Sequence, residues 1–209
     1  MPAPEAMRRD ATTIDIQWWH ATAEVEGYWL EFATPGADFV KLGVFWPDTT
    51  NFSHQQLAAD TTYLYRLRPF LGKASEVVEL STPTAPRKQE REREGQFDST
   101  HAAAGATPKY ALRERSTRAD AAPTGLSAIL AAATTAELRW TDRASDEDGY
   151  LVEVATNGDD FAVCALLPPD VSSFRKTALP EGAMIRFRVR AFLYGAASEQ
   201  ASASTPREF

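Results

Sequence analysis

Residues 146–161 read DEDGYLVEVATNGDDF, a run dense in carboxylates. Carboxylates at short spacing can do two kinds of chemistry: they can ligate a hard cation, or act as a general acid and base. An EF-hand-type calcium loop needs oxygen ligands at positions 1, 3 and 5, glycine at 6 and a bidentate glutamate at 12. With Gly149 at position 6, Asp146 and Asp148 fall at 3 and 5, but Ala144 and Ala155 fall at 1 and 12. The spacing predicts no metal site. An acid–base pair needs two carboxylates converging on a cleft with separated pKa values. Glu31 and Glu153 sit instead at outward positions of strand-like segments, with nothing in the spacing that brings them to one cleft.

Other catalytic constellations are missing as well. His20, His54 and His101 show no ligand spacing, and the lone Cys164 excludes an intrachain disulfide and any all-cysteine metal site. The chain contains no Gly-x-Ser-x-Gly elbow, Walker loop, Gly-x-Gly-x-x-Gly or His-Glu-x-x-His. The expectation is no catalytic residue, no cofactor and no metal: not an enzyme.

The composition, 44% hydrophobic and 24% charged, is that of a globular chain, and no apolar run approaches the roughly 18 residues of a membrane helix. A net charge of −7 argues against a protein that neutralises nucleic-acid phosphates. The start, MPAPEAMRRD, lacks a basic region followed by an apolar stretch, so no secretory leader is expected. The expectation is a protein that stays in the cytoplasm or joins a surface, virion or membrane-associated assembly, leaves by another route, or has already lost a leader.

The acidic run has an echo upstream. Residues 24–39 read EVEGYWLEFATPGADF, and a shift of 122 aligns Gly27 with Gly149, Tyr28 with Tyr150, Glu31 with Glu153 and Phe39 with Phe161. The register continues without a gap from Thr12/Thr134 to Leu71/Leu193, taking in Trp18/Trp140, Phe52/Phe174, Leu57/Leu179 and Arg66/Arg188. After a one-residue insertion, Ser81-Thr82-Pro83 matches Ser204-Thr205-Pro206. Two copies of one unit explain this. Within each copy hydrophobicity alternates with period two: Ile14, Ile16 and Trp18; Tyr28, Leu30 and Phe32; Tyr63, Tyr65 and Leu67. Short alternating segments split by Pro, Gly, Asn and Asp predict strands in a sandwich or barrel.

The order of these residues, a Trp, then Gly-Tyr-x-hydrophobic-Glu, then Leu and Tyr-x-aromatic-Arg-hydrophobic, resembles the fibronectin type III family. In the second copy, LRWTDRASDEDGYLVEV and LPEGAMIRFRVRAF are similar to bacterial members. The resemblance implies an all-β fold of two immunoglobulin-like sandwiches, each of seven strands in two sheets, joined by a long charged linker. The expected division is 1–84, 85–121 and 122–209. Trp18, Leu30, Phe32, Tyr65 and Leu67 would fill one core, with Trp140, Val152, Val154, Phe187 and Val189 filling the other. Tyr63 would be the tyrosine-corner residue, hydrogen-bonding backbone near that corner. Its counterpart is Ile185, so the second copy should lack the bond. The resemblance also sets the strands carrying Arg66 and Arg188 beside Glu31 and Glu153, which implies cross-strand pairs, exposed and contributing about 0–1 kcal/mol each.

The segment 85–121 is a near-balanced polyampholyte, and its only large apolar residues, Phe97, Tyr110 and Leu112, are candidate anchors on a partner. A second candidate surface is the aromatic set of the first copy: Trp19, Trp29 and Trp46 with Leu64, where the second copy has Thr141, Leu151, Pro168 and Arg186. These features point to a non-catalytic protein–protein interaction or structural protein, a subunit of a larger assembly. The alternatives are a carbohydrate-binding accessory module stacking sugars on indoles, and a phage or surface-appendage component.

Overall fold

The computed structural model describes residues 3–19, 25–84 and 122–207. The described residues form fourteen strands, seven from each repeat. The first repeat contributes β1 (Glu5–Arg8), β2 (Ile14–Gln17), β3 (Gly27–Ala33), β4 (Val40–Phe45), β5 (Asn51–His54), β6 (Thr62–Leu71) and β7 (Val78–Ser81). The second contributes β8 (Thr124–Ala132), β9 (Thr135–Thr141), β10 (Gly149–Thr156), β11 (Ala162–Leu167), β12 (Ser173–Lys176), β13 (Met184–Tyr194) and β14 (Ala201–Ser204). The fold is all-β, and among the described residues no helix is long and apolar enough to cross a membrane. The candidate linker 85–121, with Phe97, Tyr110 and Leu112, lies outside the described residues.

Each repeat builds a sandwich. In the first, the sheet β1-β2-β5 covers β4-β3-β6; in the second, β12-β9-β8 covers β11-β10-β13. Period-two alternation sends one face of every strand inward. Ile14, Ile16, Trp18, Leu30, Tyr65 and Leu67 form the first core with Phe32 packed against it. Leu138, Trp140, Val152, Phe187 and Val189 form the second, with Val154 beside it. Each fully buried side chain of this size contributes about 1.5–3 kcal/mol.

The last strand of each repeat does not turn back on its own sandwich. β6 and β13 meet antiparallel at their C-terminal ends, Leu71 opposite Leu193 and Phe70 opposite Tyr194. Past Leu71 the chain runs straight on along β13: Ala74 bridges Arg190, Val78 faces Phe187 and Leu80 faces Ile185. Past Tyr194 it runs likewise along β6, where Ala201 faces Tyr65 and Ala203 faces Tyr63. The repeats therefore exchange their final strands, and Leu80 enters the second core while Ala203 packs on the first. The division expected at 84 and 122 follows chain order, and strand pairing runs across it.

The exchange is anchored symmetrically. Ser75 Oγ accepts from Val189 N at 3.1 Å, and Ser198 Oγ accepts from Leu67 N at 3.0 Å. Thr82 Oγ1 donates to Pro180 O and accepts from Ala183 N, as Thr205 Oγ1 donates to Ala58 O and accepts from Thr61 N. The Ser-Thr-Pro motif shared by the two copies is thus a clamp that each closes on the other. Gly72 marks one crossing point: its φ is +150°, and a Cβ there would run into the Ala191 carbonyl.

The corner of the first sandwich carries the expected bond, with Ala58 N donating to Tyr63 Oη at 3.0 Å. In the second copy both partners are replaced together: Ile185 has no hydroxyl, and Pro180, aligned with Ala58, has no N–H to leave unsatisfied. Tyr63→Phe should therefore cost about 0.5–1.5 kcal/mol by orphaning a backbone donor. Ile185→Tyr should recover nothing. Urea melts of the two variants check both.

Candidate functional site

Pairing of β6 with β13 fuses the larger sheets into one, in the order β11-β10-β13-β6-β3-β4. Its inner face carries a third apolar cluster with a residue from every strand: Val163, Leu151, Phe192, Phe70, Trp29 and Val44, joined by Tyr194 and Trp46. These positions point away from each sandwich core, and they are buried because the two repeats close on each other. The sheet curls until its outermost strands, β4 and β11, line a single groove of about 590 Å³. Trp29, Trp46, Val44 and Val163 lie along it, and Lys41 stands at its edge.

Among the described residues β4 pairs only with β3, and β11 only with β10. Each therefore presents one row of backbone N–H and C=O groups without a ladder partner, the ordinary condition of an edge strand. Val40 and Leu166 on these strands are 52% and 40% exposed, so apolar surface continues at the rim. The Lys41 ammonium lies 4.6 Å from the Trp29 ring centre and 5.2 Å from that of Tyr194. Desolvation lowers its pKa, with Glu31 opposing the shift. Cys164 also lines the groove, and burial pushes its thiol pKa up, away from a reactive thiolate.

The structure separates the residues singled out as a surface. Trp29 is not displayed: it is 4% exposed, with ring centres of Phe70, Phe192 and Tyr194 at 6.2–6.3 Å. Alternation correctly turns it away from its own core, but the outer face it joins is covered by the second repeat. Leu151, at the matching position of β10, is fully buried for the same reason. Trp46 is half-buried on the cluster, its ring 6.2 Å from Phe70. Leu64 is half-buried between Ala33 and Ser202 of the exchanged strand. Trp19 alone is open, at 51%. Thus Trp29 and Trp46 come together, and Trp19 and Leu64 stand apart from them.

The Glu–Arg pairs form with the expected partners but not in the expected setting. Arg66 Nε donates to Glu31 Oε2 at 2.6 Å, and Arg188 Nε to Glu153 Oε2 at 2.6 Å. Glu31 is 6% exposed and Glu153 fully buried, so the exposed-pair energy does not apply. Each takes a second arginine, Arg68 Nε at 3.3 Å and Arg190 Nε at 2.9 Å. Arg190 also reaches Glu26 of the other repeat at 2.6 Å and the Gly72 carbonyl at 3.0 Å. Arg66 and Arg188 stack on Phe39 and Phe161, 4.0 and 4.2 Å from the ring centres.

His54 is enclosed rather than poised for catalysis. Its Nδ1 is 3.1 Å from Tyr65 Oη, it lies against Phe32, and burial lowers its pKa. A carboxylate cluster absent from the sequence reading lies at one end of the second sandwich, where Asp142, Glu147 and Asp170 bring oxygens within 4.8 Å of one another. Asp170 comes from the loop after β11, so no local spacing rule reaches it.

No family model and no curated protein matches this chain. Among solved structures, it is similar to a two-domain fibronectin type III segment of chicken tenascin, at 16% identity over 96% of this chain and 97% of that one, TM-score 0.34. It is also similar to the FN1–FN3 domains of chicken CNTN1, at 13% identity over 98% of this chain and 65% of that one, TM-score 0.32. A computationally redesigned β-sandwich protein matches 33% of this chain and 77% of its own at 19% identity, TM-score 0.30.

Proposed function

We propose that this chain is a non-catalytic interaction module that takes an extended segment of a partner protein into the groove between β4 and β11. One observation carries this reading: both edges of a continuous sheet, each with a free row of backbone groups, line the same apolar groove. A partner strand would add to an edge through main-chain hydrogen bonds, with alternate side chains set down on Trp46, Val44 and Val163. Strands of six residues on each side suit a segment of about that length, roughly 20 Å extended. Lys41 at the rim favours a segment carrying a carboxylate. A role as subunit of a larger assembly follows naturally, since docked segments of this kind join chains. The carbohydrate reading has lost the indole it leaned on, because Trp29 faces inward.

Selection from a displayed random-peptide library tests the proposal. Enriched peptides should alternate apolar residues, and on binding they should slow amide exchange in 40–45 and 162–167. Val163→Lys, which places a charge in the groove, should weaken binding at least tenfold. Lys41→Glu, at the rim, should weaken acidic peptides selectively. Peptides that protect some other surface, or glycan binding that ends with Trp19→Ala, would overturn it.

A further inference from the structure

One edge of the smaller sheet of the second sandwich is β8, nine residues long and paired only with β9 among the described residues. β7 lies nearby but pairs with β13. Trp140 N donates to Ser172 O on the β12 side, so by alternation Arg139 and Glu137 turn their backbone groups toward β8. Ser127 and Ile129 stand opposite them, which leaves the N–H and C=O of Ala128 and Leu130 facing outward. Apolar side chains accompany this free row: Ile129 is 60% exposed and Leu130 38%.

Edges of this kind are normally guarded by charge, proline or a bulge, because a free row of backbone groups recruits another strand. The first repeat follows that rule. Its matching strand β1 sits within PAPEAMRRD, which has two prolines and four charged residues. The second repeat does not. Residues 121–136, AAPTGLSAILAAATTA, carry no charge at all in a chain where 24% of residues are charged. Pro123 precedes the strand, and its register shifts fall toward the two ends, so Ser127 to Leu130 keep a regular ladder.

We propose that β8 pairs antiparallel with β8 of a second copy of this chain, joining two β12-β9-β8 sheets across a two-fold axis. A second copy suits the strand because antiparallel pairing of a segment with itself is isologous, so each copy offers the row that the other needs. With Ala128 on the axis, Leu130 lies opposite Leu126 of the second copy, and Ile129 opposite its Ser127. Both exposed side chains are then covered, the larger Ile129 by a small neighbour. Charge permits the approach. Each chain carries −7, yet the strands that meet carry none. On β9, Arg139 stands beside Ser127 and Glu137 beside Ile129. In this register the row through Arg139 continues toward Glu137 of the second copy, so like charges do not share a row. The pairing uses neither β4 nor β11 and is independent of the groove. A contact through one strand pair belongs at the small end of interface sizes, so half-association is expected at about 10–100 μM.

Sedimentation of the full chain from about 1 μM to about 1 mM tests this, and the mean mass should double across that range. Over the same range amide exchange at Ala128 and Leu130 should slow several-fold. Ile129→Lys sets an ammonium on the exposed face of the pair. It should weaken association at least tenfold and leave the melting temperature of the dilute chain unchanged. Met7→Lys is the matching change on the guarded edge, at a residue 54% exposed, and should leave association as it is. Leu130→Pro removes an outward N–H that β9 does not use, and should abolish association. A chain that stays monomeric throughout, or a dimer that Ile129→Lys leaves intact, would overturn the proposal. So would library peptides that protect 124–132 of a monomeric chain, since the edge would then belong to a foreign strand.

Discussion

Deleting residues 200–209 is expected to loosen the first repeat and spare the second. β14 lies at the end of the chain but pairs with β6, setting Ala201 to Ser204 against Tyr65 to Thr62. Its loss removes this ladder, the Thr205 clamp on Ala58 and Thr61, and the cover that Ala203 gives the first core. Each lost hydrogen bond costs about 0.5–1.5 kcal/mol, and several are lost at once. Hydrogen exchange should therefore accelerate by orders of magnitude at alternate amides of 62–67 while 184–190, still paired with β7, stays protected. The reciprocal variant, Leu80→Asp, puts a carboxylate against the second core and should release 184–189 instead. Cleavage anywhere within 85–121 should leave two halves that co-migrate on size exclusion, since each holds a strand of the other. Deprotection of 184–194 after the C-terminal deletion would refute the exchange.

The second large effect concerns Arg190, whose side chain is 7% exposed. Arg190→Met should destabilise the chain by about 3–5 kcal/mol, the usual consequence of stripping a partner from a buried charge. For a chain of this size that is a fall of about 6–20 °C in Tm. Adding Glu153→Met should recover more than half of the loss, because no buried carboxylate is then left short of its partner. Arg188, at 27% exposure, can turn to solvent. Calorimetry on the single and double variants decides the point. A loss under about 1 kcal/mol for Arg190→Met would place the pair among ordinary surface bridges.

These two effects share a cause, which is that the outer faces of the two sandwiches are not outer faces of the molecule. Alternation assigned Trp29 and Glu31 to one side of β3, and Leu151 and Glu153 to the same side of β10, correctly in each case. It carried no information about what lies beyond that side. The third cluster, the buried arginines and the groove all follow from the second repeat closing on the first. Likewise the shared Ser-Thr-Pro motif was visible as a repeat, yet its hydrogen bonds run to the opposite copy.

The sequence by itself determined the all-β class, the duplicated unit, the inward set of each sandwich, the tyrosine corner and the partners of Glu31 and Glu153. The first three rest on residue alternation or on a repeat register, which are local along the chain, and the last two on the resemblance to the fibronectin type III family. Only the tertiary structure decided where the final strands go. A chain leaving β6 can bend back or run straight, and Leu71 meeting Leu193 lets it run straight beside β13 with no turn to form. That same junction buries Trp29, brings β4 and β11 to one groove and makes Glu153 a buried charge. The acids that converge at one end of the second sandwich come from two loops whose meeting depends on the sandwich being closed. Spacing along the chain does not encode contacts made after two sheets have folded over each other.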